Sequence, residues 1–142
     1  MYLIITRNFP PELGGMQILM WGLSNSLAKH GIVKVFAEDH KDAVSHDKNV
    51  KYQIERIGGF KIFRKFRKAN LINEYLKENK SITTVIVDHW KSLEKINSDL
   101  LKNKKTICLI HSKEINHPVN SNLNKRVLKS LSKTNYIVSN SR

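Results

Sequence analysis

One cysteine, Cys108, stands among the 142 residues, so no internal disulfide can form. A lone thiol fits a reducing compartment, and inside its apolar run it reads as buried and inert. No run of about 18 apolar residues occurs, so the sequence holds no transmembrane helix. The opening Met1-Tyr2-Leu3-Ile4-Ile5-Thr6-Arg7 lacks a basic leader and a cleavage site, and reads as a strand rather than a signal peptide. No histidine pair has one-helix metal spacing and one cysteine cannot build a zinc cluster, so no metal is expected. G-x-G-x-x-G and the Walker pattern are both missing, which weighs against a free-standing nucleotide-binding domain. Helix-turn-helix, RNP and KH signatures are missing as well. Acidic residues are scarce: 12 against 25 Lys and Arg leave a net charge of +13 and a pI near 10.0. Such a field favours nucleic acid or an anionic membrane surface. A lysine-rich surface that merely solubilises the chain has the same composition.

The chain is long enough for one domain with a real core, and 40% of it is hydrophobic. Strands are expected at Tyr2–Thr6, Val33–Ala37, Tyr52–Ile57, Thr84–Trp90, Thr106–His111 and Tyr136–Ser139. Helices are expected from Gly15 to Lys29, from Phe60 to about Asn79, across Leu93 to Leu101, and across Leu123 to Leu131. In the first helix Met16, Leu19, Met20, Leu23, Leu27 and Ala28 form the apolar stripe; in the second, Ile62, Phe66, Ala69 and Asn73 share a face. Residues 39–51 are polar and aperiodic, and read as a loop; 112–121 form another polar loop. The strands are continuous apolar runs, not alternating ones. With helices between them, they predict a parallel sheet covered on both faces: a doubly wound, Rossmann-like α/β domain over 1–142. No repeat, linker or low-complexity tract divides it.

The stretch Asn8-Phe9-Pro10-Pro11-Glu12-Leu13-Gly14-Gly15-Met16-Gln17 joins the first strand to the first helix. Its prolines cannot donate to a sheet ladder. Its glycines strip side chains from a helix N-terminus, where unpaired N–H groups and the dipole attract anions such as phosphate. The plainer alternative is a tight turn in which glycine only supplies unusual dihedrals. Phe-Pro-Pro-Glu-x-Gly-Gly-Met-Gln, followed by Leu23, Leu27, Ala28, Lys29-His30-Gly31 and a second strand, resembles the opening of the family 4 glycosyltransferases. Those enzymes are retaining, use nucleotide-sugar donors and have the GT-B fold. The specific motif covers about the first 35 residues, and where the family often has Gly-His after this helix, this chain has Gly31-Ile32.

The resemblance implies the N-terminal, acceptor-side half of such an enzyme, with the donor-binding C-terminal domain absent. It implies transfer of a sugar, with retention, from a nucleotide diphosphate sugar to a glycan or lipid-linked acceptor in polysaccharide biosynthesis, with no further cofactor. The isolated half would be inactive. Backbone N–H groups of Gly14, Gly15 and Met16 would stabilise the departing diphosphate, and Glu12 and Gln17 would hold acceptor. His111, ending the fifth strand, corresponds to a cleft histidine of the family and is carried over as the catalytic candidate. His89 occupies the comparable place after strand four. Ser139-Asn140-Ser141-Arg142 resembles the family's strand-end Ser-x-x-Arg, which makes Ser139 and Arg142 substrate-binding candidates. Ligands of such sheets bind beyond the carboxyl ends of the strands, where these residues cluster.

Phe60-Lys61-Ile62-Phe63-Arg64-Lys65-Phe66-Arg67-Lys68 packs five cations and three phenylalanines into nine residues. Lys61, Arg64, Lys65, Arg67 and Lys68 on a helix with an aromatic stripe suit anionic lipid. An ordinary helix packed on the sheet would show the same pattern. The expectation is a cytoplasmic protein, peripheral on the inner membrane face. The alternative is a basic α/β nucleic-acid-binding module without enzymatic activity, whose Arg-Lys-Phe-Arg-Lys tracks phosphates and stacks bases.

Overall fold

A six-stranded, all-parallel sheet forms the centre of the computed structural model, which describes residues 1–110 and 115–139. The strands are β1 (Tyr2–Ile5), β2 (Val33–Glu38), β3 (Gln53–Ile57), β4 (Thr84–Val87), β5 (Lys105–Ile110) and β6 (Tyr136–Ser139), in the order β3-β2-β1-β4-β5-β6. The helices are α1 (Gly15–Leu27), α2 (Ala43–Asp47), α3 (Lys61–Glu78), α4 (Trp90–Leu93) and α5 (Asn122–Leu131), with a 3-10 turn at Ser98–Leu100. The fold is the doubly wound, Rossmann-like α/β architecture.

Both faces of the sheet are covered at its centre, which is why β1 and β4 read as unbroken apolar runs, while the edge strand β6 is exposed. In β1 the side chains of Leu3 and Ile5 join Ala69, Ile72 and Leu76 of α3, Trp90 and Leu93 of α4, and Val127 of α5 in one core. Ile4, between them in sequence, points the other way and joins Val35, Ala37, Met20 of α1 and Phe9. Leu3, Ile4 and Ile5 are fully buried. Each such side chain contributes about 1.5–3 kcal/mol by leaving water. Ile4 faces Val35 on one side and Ile86 on the other, so β1 lies at the middle of the sheet.

Three expectations are corrected. Residues 39–51 are not all loop: α2 forms there, a five-residue helix too short to show periodicity. The fourth strand stops at Val87, and Trp90 opens α4 instead of ending the strand. The helix expected across Leu93 to Leu101 breaks into α4 and the 3-10 turn. Lys133 explains the break. Its ammonium donates to the carbonyls of Leu93, Glu94 and Ile96 at 2.9, 3.2 and 2.8 Å, taking up chain-end acceptors that a longer helix would have used internally.

The buried stripe of α3 also lies elsewhere than the apolar spacing predicts. It comprises Lys68, Ala69, Ile72 and Leu76, while Ile62, Phe63 and Phe66 are 77%, 63% and 45% exposed. Only Ala69 belongs to both stripes. Similarly, α1 buries Gln17, Met20 and Ser24, and leaves Leu19 partly exposed.

The order of the strands reverses between β1 and β4. Chain leaving β1 turns to the α1 side, and chain leaving β4 turns to the side of α3, α4 and α5. A crevice beyond the carboxyl ends of these two strands follows from that divergence.

Candidate functional site

Asp88, one residue past β4, ties the two diverging loops together. Its carboxylate accepts from the Thr6 hydroxyl at 2.8 Å, the Arg7 amide at 2.7 Å and the Ser92 hydroxyl at 3.1 Å. Thr6 is fully buried and Asp88 nearly so. From α3, Lys68 reaches the same place and donates to the Thr6 carbonyl. Burial pushes the Lys68 ammonium down to about 8, with Arg7 and Arg64 adding to the depression and Asp88 and Glu38 opposing it. Lys68 is only 8% exposed, so it is withdrawn from any membrane surface, contrary to the sequence expectation. Its long stem covers apolar core while its head finds an acceptor at the strand end.

The glycine turn sits after β1. Gly14 precedes α1 with φ 166° and ψ 163°, an extended conformation open to any residue, and no side chain caps the helix. A side chain at Gly15 would meet only open space. Neither glycine is therefore required by its dihedrals, and Gly15 is not required by packing either. What the glycines do provide is bare backbone at the start of a thirteen-residue helix. Glu12 is exposed beside it. Gln17 is buried, its side chain turned back against Gly14, so it supports the turn from inside.

Arg56 fixes the approach to this turn, and no sequence pattern announced it. From β3 it donates to Asp47 of α2 at 2.9 and 2.7 Å, to the Glu38 carbonyl at 3.2 Å and to the Pro10 carbonyl. Its guanidinium lies 5.5 Å from the ring centre of Phe9, which is buried. Burial pushes the Asp47 carboxyl up, but hydrogen bonds and charge from Arg56 and His46 outweigh it and hold the group below its ordinary value. An isolated arginine in a strand gives no sign of such a role. Only the β2–β3 register brings it under Pro10.

His89 is buried, and its Nδ1 accepts from the Lys91 amide at 2.9 Å. It thus caps α4, and the ring proton sits on Nε2. Ser139 ends β6 opposite Ile110. His111 and Arg142 lie outside the described residues.

The proposed membrane cations are divided. Arg64 pairs with Glu38 at 2.7 Å, and Arg67 donates to the Gly58 carbonyl. Lys61 and Lys65 are exposed. Among the described residues no group of three or more His, Cys, Asp or Glu is placed to hold a metal, and no helix is long and apolar enough to cross a membrane.

The arrangement can bind an anion at exposed backbone and keep a cation and a carboxylate in one buried network at the crevice floor. No protein-family model matches the chain, and no curated protein matches it.

Proposed function

We propose that this chain is the N-terminal, acceptor-side domain of a retaining glycosyltransferase that uses a nucleotide diphosphate sugar. The observation that carries it is the bare Gly14–Gly15 backbone at the N-terminus of α1, beside the crevice where strand order reverses. Glycines needed neither for dihedrals nor, at position 15, for packing suit close approach of a ligand, and a departing diphosphate is the anion the helix terminus would stabilise. The sheet edge supports a two-domain protein. Ile107, Leu109, Tyr136 and Val138 share the α1-side face of β5 and β6. Tyr136 and Val138 are 56% and 49% exposed there, and Ile137 on the opposite face is 49% exposed, so β6 leaves apolar surface uncovered on both faces. His111 remains the proposed catalytic residue, with Ser139 and Arg142 on the substrate side.

The test expresses the reading frame to its stop codon and measures label transfer from a panel of nucleotide sugars to a membrane lipid extract. Gly15→Asp puts a carboxylate where the diphosphate would sit, and should lower transfer at least about 100-fold with an unchanged melting temperature. Transfer at the wild-type rate by Gly15→Asp, or none from the full frame with any donor, overturns the assignment.

We also propose that the protein works on the inner face of the cell membrane, where α3 docks. Phe60, Ile62 and Phe63 stand 83%, 77% and 63% exposed, with Lys61 and Lys65 alongside. An apolar stripe bordered by cations is the form of an interfacial helix. The protein should sediment with phosphatidylglycerol-containing vesicles, less so as salt rises. Ile62→Ser with Phe63→Ser should weaken binding at least about tenfold. Equal sedimentation of variant and parent would sink the docking role. The nucleic-acid module gains no comparable support, because Lys61, Arg64, Lys65 and Lys68 line a cleft between α3 and α4 instead of running along a strip.

A further inference from the structure

A cleft of about 510 Å³ opens between α3 and the α4–α5 pair, above the carboxyl ends of β1 and β2. That volume is in the small-molecule range. Eight cationic side chains and two carboxylates line it, an excess of six positive charges on three converging helices and a strand end.

The carboxylates do not neutralise it. Glu38 holds Arg64 at 2.7 Å, and Glu94 holds Arg126 at 2.6 Å, so each guanidinium is fixed in place with donors to spare. Lys68 stands at the floor. Among the described residues no carboxylate lies within ion-pair distance of Arg7, Lys61, Lys65, Lys91 or Lys95, all of which line the cleft. Two aromatic rings gather the cations further. Lys65 from α3 and Lys95 from beyond α4 lie 5.0 and 5.3 Å from the Phe66 ring centre. Lys91 and Arg126 lie 5.4 and 5.8 Å from that of Trp90. Like charges held this close in a concave site repel one another in the empty protein, and that repulsion is relieved by a compact polyvalent anion.

We infer that this cleft is a binding site for a diphosphate group. A single phosphate would leave most of the lining unmatched, and an extended polymer would not fit a concavity of about 510 Å³. Lys68 and Arg64 hold the anion from the inner wall, and Arg126, Lys65, Lys91 and Lys95 close on it from the rim. The cleft is lined from α3, α4, α5 and the ends of β1 and β2 and by no residue of the Gly14–Gly15 turn, and the inference stands independently of sugar transfer.

Isothermal titration of the full chain with inorganic pyrophosphate, at fixed ionic strength, tests it. Pyrophosphate should bind at least about tenfold more tightly than sulfate or orthophosphate. Lys91→Gln with Lys95→Gln, two exposed positions, should reduce that affinity about tenfold or more, in the parent and in a Gly15→Asp background alike, while Lys51→Gln, exposed and outside the cleft, leaves it unchanged. A farnesyl diphosphate arm separates sources: tighter binding than pyrophosphate assigns a lipid-borne diphosphate, and equal binding a soluble one. No preference over sulfate, or no effect of the paired glutamines, overturns the inference.

Discussion

Asp88→Ala should lower stability by about 3–5 kcal/mol at neutral pH, the loss expected when one partner of a buried charged network is removed. For a chain of this length that is a fall of roughly 10–15 °C in melting temperature. The Arg7 amide and the Ser92 hydroxyl lose their acceptor at once, and the Thr6 hydroxyl is left with the Asn8 carbonyl. The Lys68 ammonium also loses the stronger of the two charges that offset its burial. Lys68→Met in the same chain removes that stranded cation, so the double variant should recover about 1.5 kcal/mol or more relative to additivity. Additive losses, or a single-variant loss below about 1 kcal/mol, would mean that the network does not hold the loops.

The pH profile follows from the same lysine. Its folded value of about 8 lies below the ordinary 10.5. Between those values the unfolded chain carries a proton that the native protein has shed. Stability therefore rises with pH through this window, and the contribution is lost as pH falls through about 8. The full swing is at most about 3 kcal/mol. Melting curves from pH 7 to pH 10, roughly the span of the two values, should climb in the parent and lose that climb in Lys68→Met. Burial lifts Tyr52 to about 12, and this works in the opposite sense only at the alkaline end, above the ordinary tyrosine value.

Arg56→Met should cost about 3 kcal/mol and loosen the glycine turn without touching it. The variant strands the half-buried Asp47 carboxylate and leaves the carbonyls of Glu38 and Pro10 without their donor. Since Pro10 leads directly into the turn, the amides of residues 13–17 should exchange hydrogen faster than in the parent, beyond the change seen in the sheet. Arg56→Lys should recover little, because a single ammonium cannot serve three acceptor groups in the plane of a guanidinium. Without Arg56 only His46 opposes burial at Asp47, so its carboxyl rises and the variant should lose less stability than the parent as pH falls below about 4. Urea unfolding checks the magnitude. A midpoint within error of the parent's, or uniform exchange across the domain, would show that the turn is held by other contacts.

All six strands were legible in the sequence, within a residue or a few at their ends. A strand buried on both faces has to be apolar at consecutive positions, and Leu3-Ile4-Ile5 or Val85-Ile86-Val87 can be little else. The alternation of strands with helices then required a parallel sheet. The turn at Gly14–Gly15 was legible as well, since proline before and glycine at a helix start leave a mark in composition.

Tertiary structure decided the rest. Periodicity located α3 but mistook its inner face. Phe63 and Phe66 are more apolar than Lys68, yet the lysine faces inward because the strand ends at Thr6 and Asp88 offer its ammonium partners. Helix α2 has no stripe to read and is held by Arg56 from a neighbouring strand. The cations near Arg64 looked like one patch in sequence. Folding divides them between an exposed stripe, a buried network and a cleft completed by Lys91, Lys95 and Arg126 from a later part of the chain. Composition set the charge at +13, but only the meeting of α3 with α4, α5 and the ends of β1 and β2 gathers eight of those cations around one cavity. Local sequence fixes which surfaces must leave water. Where the charges gather depends on contacts between residues far apart in the chain, and no short window contains them.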